Sequence, residues 1–137
     1  MANYYATARS NYFKVKNKRA FKADCDKMGV GVWDDRKDGR VGIYPESDDE
    51  GGWPSESWPE DADDAYEFDV CDVISAHLVE GEVAILLEAG AEKLRYVHGH
   101  AIAVNSKGET RKVMLNDIYD LAKELTDRPD DITGAEY

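Results

Sequence analysis

Glu82-Val-Ala-Ile-Leu-Leu-Glu88 and, a few residues on, Leu94-Arg-Tyr-Val-His-Gly-His-Ala-Ile-Ala-Val104 carry the reading of the fold. The first is an almost wholly apolar run, the pattern of a central strand covered on both faces. Ala89-Gly90 then offers a turn. In the second, Leu94, Tyr96, His98, His100, Ile102 and Val104 alternate with Arg95, Val97, Gly99, Ala101 and Ala103, so one long strand with two different faces is expected. Asn105-Ser-Lys-Gly108 turns into a third strand over 109–114, which makes a meander.

Working outward, Asn11-Tyr-Phe-Lys-Val-Lys16 alternates and reads as a strand with Phe13 and Val15 on one side. Asn17 can cap a helix over 18–28, where Phe21, Cys25 and Met28 recur at i, i+4, i+7 and Gly29 supplies the stop. Val30-Gly-Val-Trp-Asp34 and Arg40-Val-Gly-Ile-Tyr44 flank an Asp-Gly step, the signature of a hairpin. A helix over 69–79 places Val70, Val73, Ile74 and His77 on one side, and Asn116 caps a last helix with Ile118, Leu121, Ala122 and Leu125 as its core face. The order contains hairpins and no repeated βαβ crossover. It predicts an α+β fold: a mainly antiparallel sheet of five to six strands with two to three helices, a single domain over 1–137 interrupted by a long acidic loop at 45–68.

Charge is segregated along the chain. Residues 1–40 hold ten Lys/Arg against five Asp/Glu, 41–92 hold sixteen acids and no base, and 93–137 hold seven bases against eight acids, for a net −12. Such a field repels nucleic acid and membranes and attracts cationic surfaces. In the helix over 18–28, Lys18, Arg19 and Lys22 come first and Asp24 and Asp26 later, against the helix dipole; the acidic segment or a polyanionic partner is expected to hold those cations. The opening Met1-Ala-Asn-Tyr-Tyr has no signal-peptide pattern and no apolar run approaches the roughly 20 residues of a bilayer span, so a soluble, cytoplasmic protein is expected.

Motifs for chemistry are few. No phosphate-binding glycine loop is present, and no cofactor is expected. The segment Asp34-Asp-Arg-Lys-Asp-Gly39 fails as an EF-hand loop because Arg36 and Pro45 stand where oxygen ligands are needed. His98 and His100, two apart on a strand, project from one face and could hold a metal with His77 or a carboxylate, the pattern of a metal-dependent hydrolase or transferase; otherwise they are ordinary strand residues. Cys25 and Cys71 form no CxxC pair and read as small buried residues.

The acidic loop is more distinctive. Trp53 and Trp58 stand among Asp48, Asp49, Glu50, Glu56, Glu60, Asp61, Asp63 and Asp64, a composition suited to an Arg-rich surface through ion pairs and cation–π contacts. The indoles either pin the loop back over the sheet or anchor a partner, and the acids are either a solvated segment or an imitation of a phosphate backbone. The basic, aromatic stretch Tyr4 to Lys22, with Lys14–Lys22 at its centre, reads alternatively as a nucleic-acid contact, which the net charge opposes. Antiparallel strands at a sheet edge could pair two copies as a homodimer.

Asn3-Tyr-Tyr-Ala-Thr-Ala-Arg-Ser-Asn-Tyr-Phe-Lys-Val15 and Glu88-Ala-Gly-Ala-Glu-Lys-Leu-Arg-Tyr96 resemble segments of small acidic proteins encoded by bacteriophages, plasmids and other bacterial mobile elements. The resemblance covers those two segments and implies a role among anti-CRISPR or anti-restriction inhibitors. The expectation is therefore a non-enzymatic protein whose partner is the basic surface of a host nucleic-acid-processing protein, with no direct binding to nucleic acid or membrane.

Overall fold

The computed structural model describes residues 4–46, 52–54, 56–57, 66–92 and 96–135. The chain enters as strand β1 (Tyr4–Ser10), and the amide of Asn11 ends it. Asn11 Oδ1 accepts from the Ile85 N–H (2.8 Å) and Nδ2 donates to the Val83 carbonyl (3.2 Å), so a side chain extends the ladder while the backbone leaves it. The strand expected at 11–16 is thus displaced towards the N-terminus. Its alternation is real, but each apolar residue pairs with a different element: Phe13 bridges to Val41 and Val15 to Leu78. Two unrelated partners cannot be satisfied by one straight strand.

Helix α1 (Lys18–Met28) has the ends the sequence calls for. The Asn17 side chain accepts from the Ala20 N–H at 3.0 Å, and Gly29 takes the left-handed conformation at φ 75°. Strands β2 (Val30–Trp33) and β3 (Gly42–Pro45) form the expected hairpin, with Gly39 at φ 80° in its connection. Two-residue strands β4 (Glu56–Ser57) and β5 (Tyr66–Glu67) pair with each other within the predicted loop. Helix α2 (Val70–His77) follows, capped by Asp69, whose carboxylate accepts from the Cys71 N–H. Strands β6 (Val83–Glu92), β7 (Tyr96–Asn105) and β8 (Thr110–Met114) lead to a short α3 (Ile118–Ala122).

The fold is α+β and mainly antiparallel, with the strands divided between a four-stranded sheet, β1-β6-β7-β8, and the two separate pairs. β6 does not turn at Ala89-Gly90. It is hydrogen-bonded along both edges, and Gly90 pairs with Ala6 on one side and His98 on the other, so the ladder carries the strand through to Glu92.

β6 is central, but it is covered on one face alone. Ala84 and Leu86 are buried with Val104 beneath α1, α2 and the β2–β3 hairpin, in a cluster completed by Phe13, Phe21, Ile43, Ile74 and Leu78. Val83, Ile85 and Leu87, on the opposite face, remain exposed. The last helix explains this. Its predicted core face is exposed, and it shrinks to five residues between two 3-10 turns, Leu115–Asp117 and Lys123–Leu125. Asp117, not Asn116, supports its entry by accepting from the Met114 N–H at 2.8 Å.

Ser10 joins sheet to hairpin. Almost fully buried, its hydroxyl donates to the Asn11 carbonyl (2.7 Å) while its oxygen accepts from the Ile43 N–H (2.8 Å). Ser10→Ala leaves that amide buried without its acceptor, so denaturant titration should show a loss of about 1–3 kcal/mol.

Candidate interaction site at the acidic segment

The predicted binding residues Asp48, Asp49, Glu50, Trp58, Glu60, Asp61, Asp63 and Asp64 lie outside the described residues. Trp53 and, by its backbone, Glu56 are described. Trp53 answers the question its composition raised by packing, half-buried, against the core. Its backbone N–H donates to Glu88 Oε1 at 2.8 Å and its indole Nε1–H donates to the Leu87 carbonyl at 3.3 Å. Gly52 leaves room for this contact: a Cβ there would come within 2.7 Å of the same carboxylate oxygen. The segment is therefore fastened near its start to the middle of β6.

Its far end is fastened too. Phe68 packs on the core, and Asp69 serves as the cap of α2. A cavity of about 260 Å³ lies between the two attachments, lined by Trp53, Pro54, Phe68, Leu86, His100 and Ile102 among others. β4 and β5 set Glu56 directly opposite Glu67, and Ser57 opposite Tyr66.

Among the described residues Lys18, Lys22, Arg36 and Arg40 are held by acids outside 45–68, and Lys18 and Lys22 meet an acid other than those of the segment the helix charge order suggested. Lys18 and Lys22 converge on Asp34 at 2.9 and 2.6 Å, just past β2. Arg36 pairs with Asp38 at 2.7 Å, and Arg40 reaches Glu82 at 2.7 Å. Hydrogen bonds from Lys22 and then Lys18 hold the Asp34 carboxyl below the usual carboxylate range. Arg36, then the Arg40 backbone N–H, hold Asp38 far below it. Arg9 stacks 4.6 Å over the Trp33 ring and Arg36 4.6 Å over Tyr12, with Trp33 itself 4.6 Å from Tyr44. Sequence reasoning missed Asp34 as the hub and Glu88 as the clip. The one available signal was an Asp just past a strand, six residues beyond a helix with Lys18 and Lys22 in its first turns.

The three histidines are not brought into one site. His77 Nε2 lies 2.6 Å from Asp24 and edge-on to Phe21, whereas His100 stands opposite Glu88 with Nδ1 4.0 Å from its carboxylate. His98 is exposed on β7. Among the described residues no three His, Cys, Asp or Glu side chains form a metal-binding group. Both cysteines are free thiols; burial first and Asp24 second push Cys25 up to about 12, and burial with Asp69 and Asp72 pushes Cys71 to about 11. Neither is a thiolate nucleophile at neutral pH. No described helix is long and apolar enough to cross a membrane.

No protein-family model, curated protein or solved structure matches the chain.

Two outcomes follow from this geometry. Removing the clip with Glu88→Ala or Trp53→Ala should speed protease cleavage within 45–68 by about tenfold or more, with the core's melting nearly unchanged, as local opening does. Asp34, its folded value lying below the ordinary value of about 3.9, contributes stability that is complete above that value and lost as pH falls through the folded one. In acid titrations followed by denaturation, Asp34→Asn should therefore be less stable at neutral pH and lose less on acidification below pH ~4.

Proposed function

We propose that this chain is a non-enzymatic acidic binding protein that inhibits a host nucleic-acid-binding protein, of the anti-CRISPR or anti-restriction kind, by occupying its cationic surface. Asp48, Asp49, Glu50, Glu56, Glu60, Asp61, Asp63 and Asp64 supply the charge, with Trp58 as an aromatic anchor. Trp53 acts from beneath, as the peg that fixes the segment to β6.

The observation that carries this reading is where four of the protein's described cations go. Lys18, Lys22, Arg36 and Arg40 pair with Asp34, Asp38 and Glu82, all outside 45–68. Fastening at Trp53 and at Phe68-Asp69 adds to it, because a segment held at both ends loses less conformational freedom on binding than a free tail.

The test is capture of bacterial proteins on this chain, followed by competition with a double-stranded oligonucleotide. A target should be displaced by the nucleic acid, and its affinity should fall steeply with salt. The triple variant Asp61→Asn, Asp63→Asn, Asp64→Asn should bind about tenfold more weakly or worse, with unchanged circular dichroism. Undiminished binding by that variant overturns the reading.

A further inference from the structure

The four-stranded sheet covers one face and leaves the other bare. On the bare face Ile85 and Leu87 are 37 and 47 % exposed, with Val97 at 52 % and Val113 at 64 %. The register sets Leu87, Ala101 and Val113 in one row and Ile85, Ala103 and Arg111 in the next. A cavity of about 480 Å³ opens here, bordered by Arg9, Leu87, Gly99, Ala101, Val113 and Leu115. Arg9 lies across from Leu87 on β1, so Arg9 and Arg111 stand at two margins of the apolar area. The described strand positions of this face carry no Asp or Glu.

The same chain carries a surface of the complementary kind. Along α3 and the 3-10 turn after it, Ile118, Leu121 and Leu125 recur at helical spacing and are 56, 56 and 88 % exposed. Asp117, Asp120 and Glu124 flank them. The root of this arm already sits on the bare face, where Leu115 covers Gly99 closely enough that an added Cβ there would lie 3.5 Å from the leucine's own. Beyond Leu115 the arm's apolar stripe leaves its own sheet uncovered.

We propose that a second copy of this chain covers both surfaces: in a two-fold dimer, residues 115–125 of each copy lie across the bare sheet face of the other. One chain supplies both halves of the contact, which is what closure by a two-fold axis requires. The charges agree, since Glu124 and Asp120 on the arm, the latter also 3.7 Å from Lys123 of the same turn, meet Arg9 and Arg111 on the face. Arg9 itself is stacked on the rings of Trp33 and Tyr12 at this margin. The area is sufficient as well: the exposed apolar side chains of face and arm amount to on the order of 1,000 Å² per copy, against about 800 Å² per partner in a standard stable interface. The dimer does not depend on the function proposed for the acidic segment, whose attachments lie on the covered face of the sheet.

Sedimentation of the full chain tests it. The wild type should pass from monomer to dimer in the micromolar range. Leu87→Glu on the face and Leu121→Glu on the arm alter exposed positions, so each should raise the dissociation constant about a hundredfold or more while circular dichroism, and melting at concentrations where the wild type is monomeric, stay unchanged. An equimolar mixture of the two should regain dimer, because the arm of one variant and the face of the other are intact. Should either fold poorly, Arg111→Glu and Asp120→Lys serve instead, each weakening the dimer alone and restoring part of it together. A wild type still monomeric at about 100 µM overturns the proposal. So does a dimer that loses stability with Leu87→Glu but not with Leu121→Glu, which would mean direct packing of face on face. A monomer whose bare face binds anionic vesicles instead makes a bilayer the occupant and overturns it as well.

Discussion

Burial of the Ala84–Leu86 side of β6 beneath α1, α2 and the β2–β3 hairpin is the contact on which the rest of the molecule depends. β6 is hydrogen-bonded on both edges, so its backbone polar groups are satisfied by neighbouring strands and its side chains are free to define two faces. Phe13, wholly buried, draws the hairpin onto the covered face through the reciprocal Phe13–Val41 backbone bonds. Val15 and Lys14 tie the end of α2 to the same short stretch of chain. A loss at this contact would release the hairpin and α2 together, because both are stitched to the six residues that follow β1.

Electrostatics is organised around that core in two ways. In the N-terminal third, acids are used as partners: Asp34 gathers Lys18 and Lys22, and Asp38 and Glu82 hold Arg36 and Arg40. Asp34 also offsets a helix whose first turn carries cations in place of the acids that its dipole favours. Some acids of the base-free stretch are likewise structural, Glu88 as the acceptor for Trp53 and Asp69 as a helix cap. Of the acids proposed for binding, Glu56, Glu60, Asp61, Asp63 and Asp64 fall between those two attachments in sequence and Asp48, Asp49 and Glu50 precede the first.

Elements whose signals are local were legible from the residues themselves. Asn17 and Gly29 bracket α1 because a cap needs a side-chain acceptor at one end and a left-handed residue at the other, and both choices are written at single positions. The turn at Gly39 is of the same kind. The segment 11–16 was legible in pattern and not in partner, since alternation says which residues face inward and not which element receives them. For the candidate site, Trp53 could be read as an anchor of one kind or another, but its acceptor Glu88 lies 35 residues away and nothing in the spacing points to it.

Sequence alone determined the α+β class, α1 with both its caps, the hairpin and the concentration of net negative charge in one stretch, because each follows from neighbours along the chain. Tertiary structure decided which face of β6 is covered, which acid holds each cation and that the stripe Ile118, Leu121, Leu125 finds no place in the core. An apolar run reads identically whether its second face meets a helix of its own chain or is left bare. Only the path of the chain after β8 distinguishes the two, and that path is set by long-range packing.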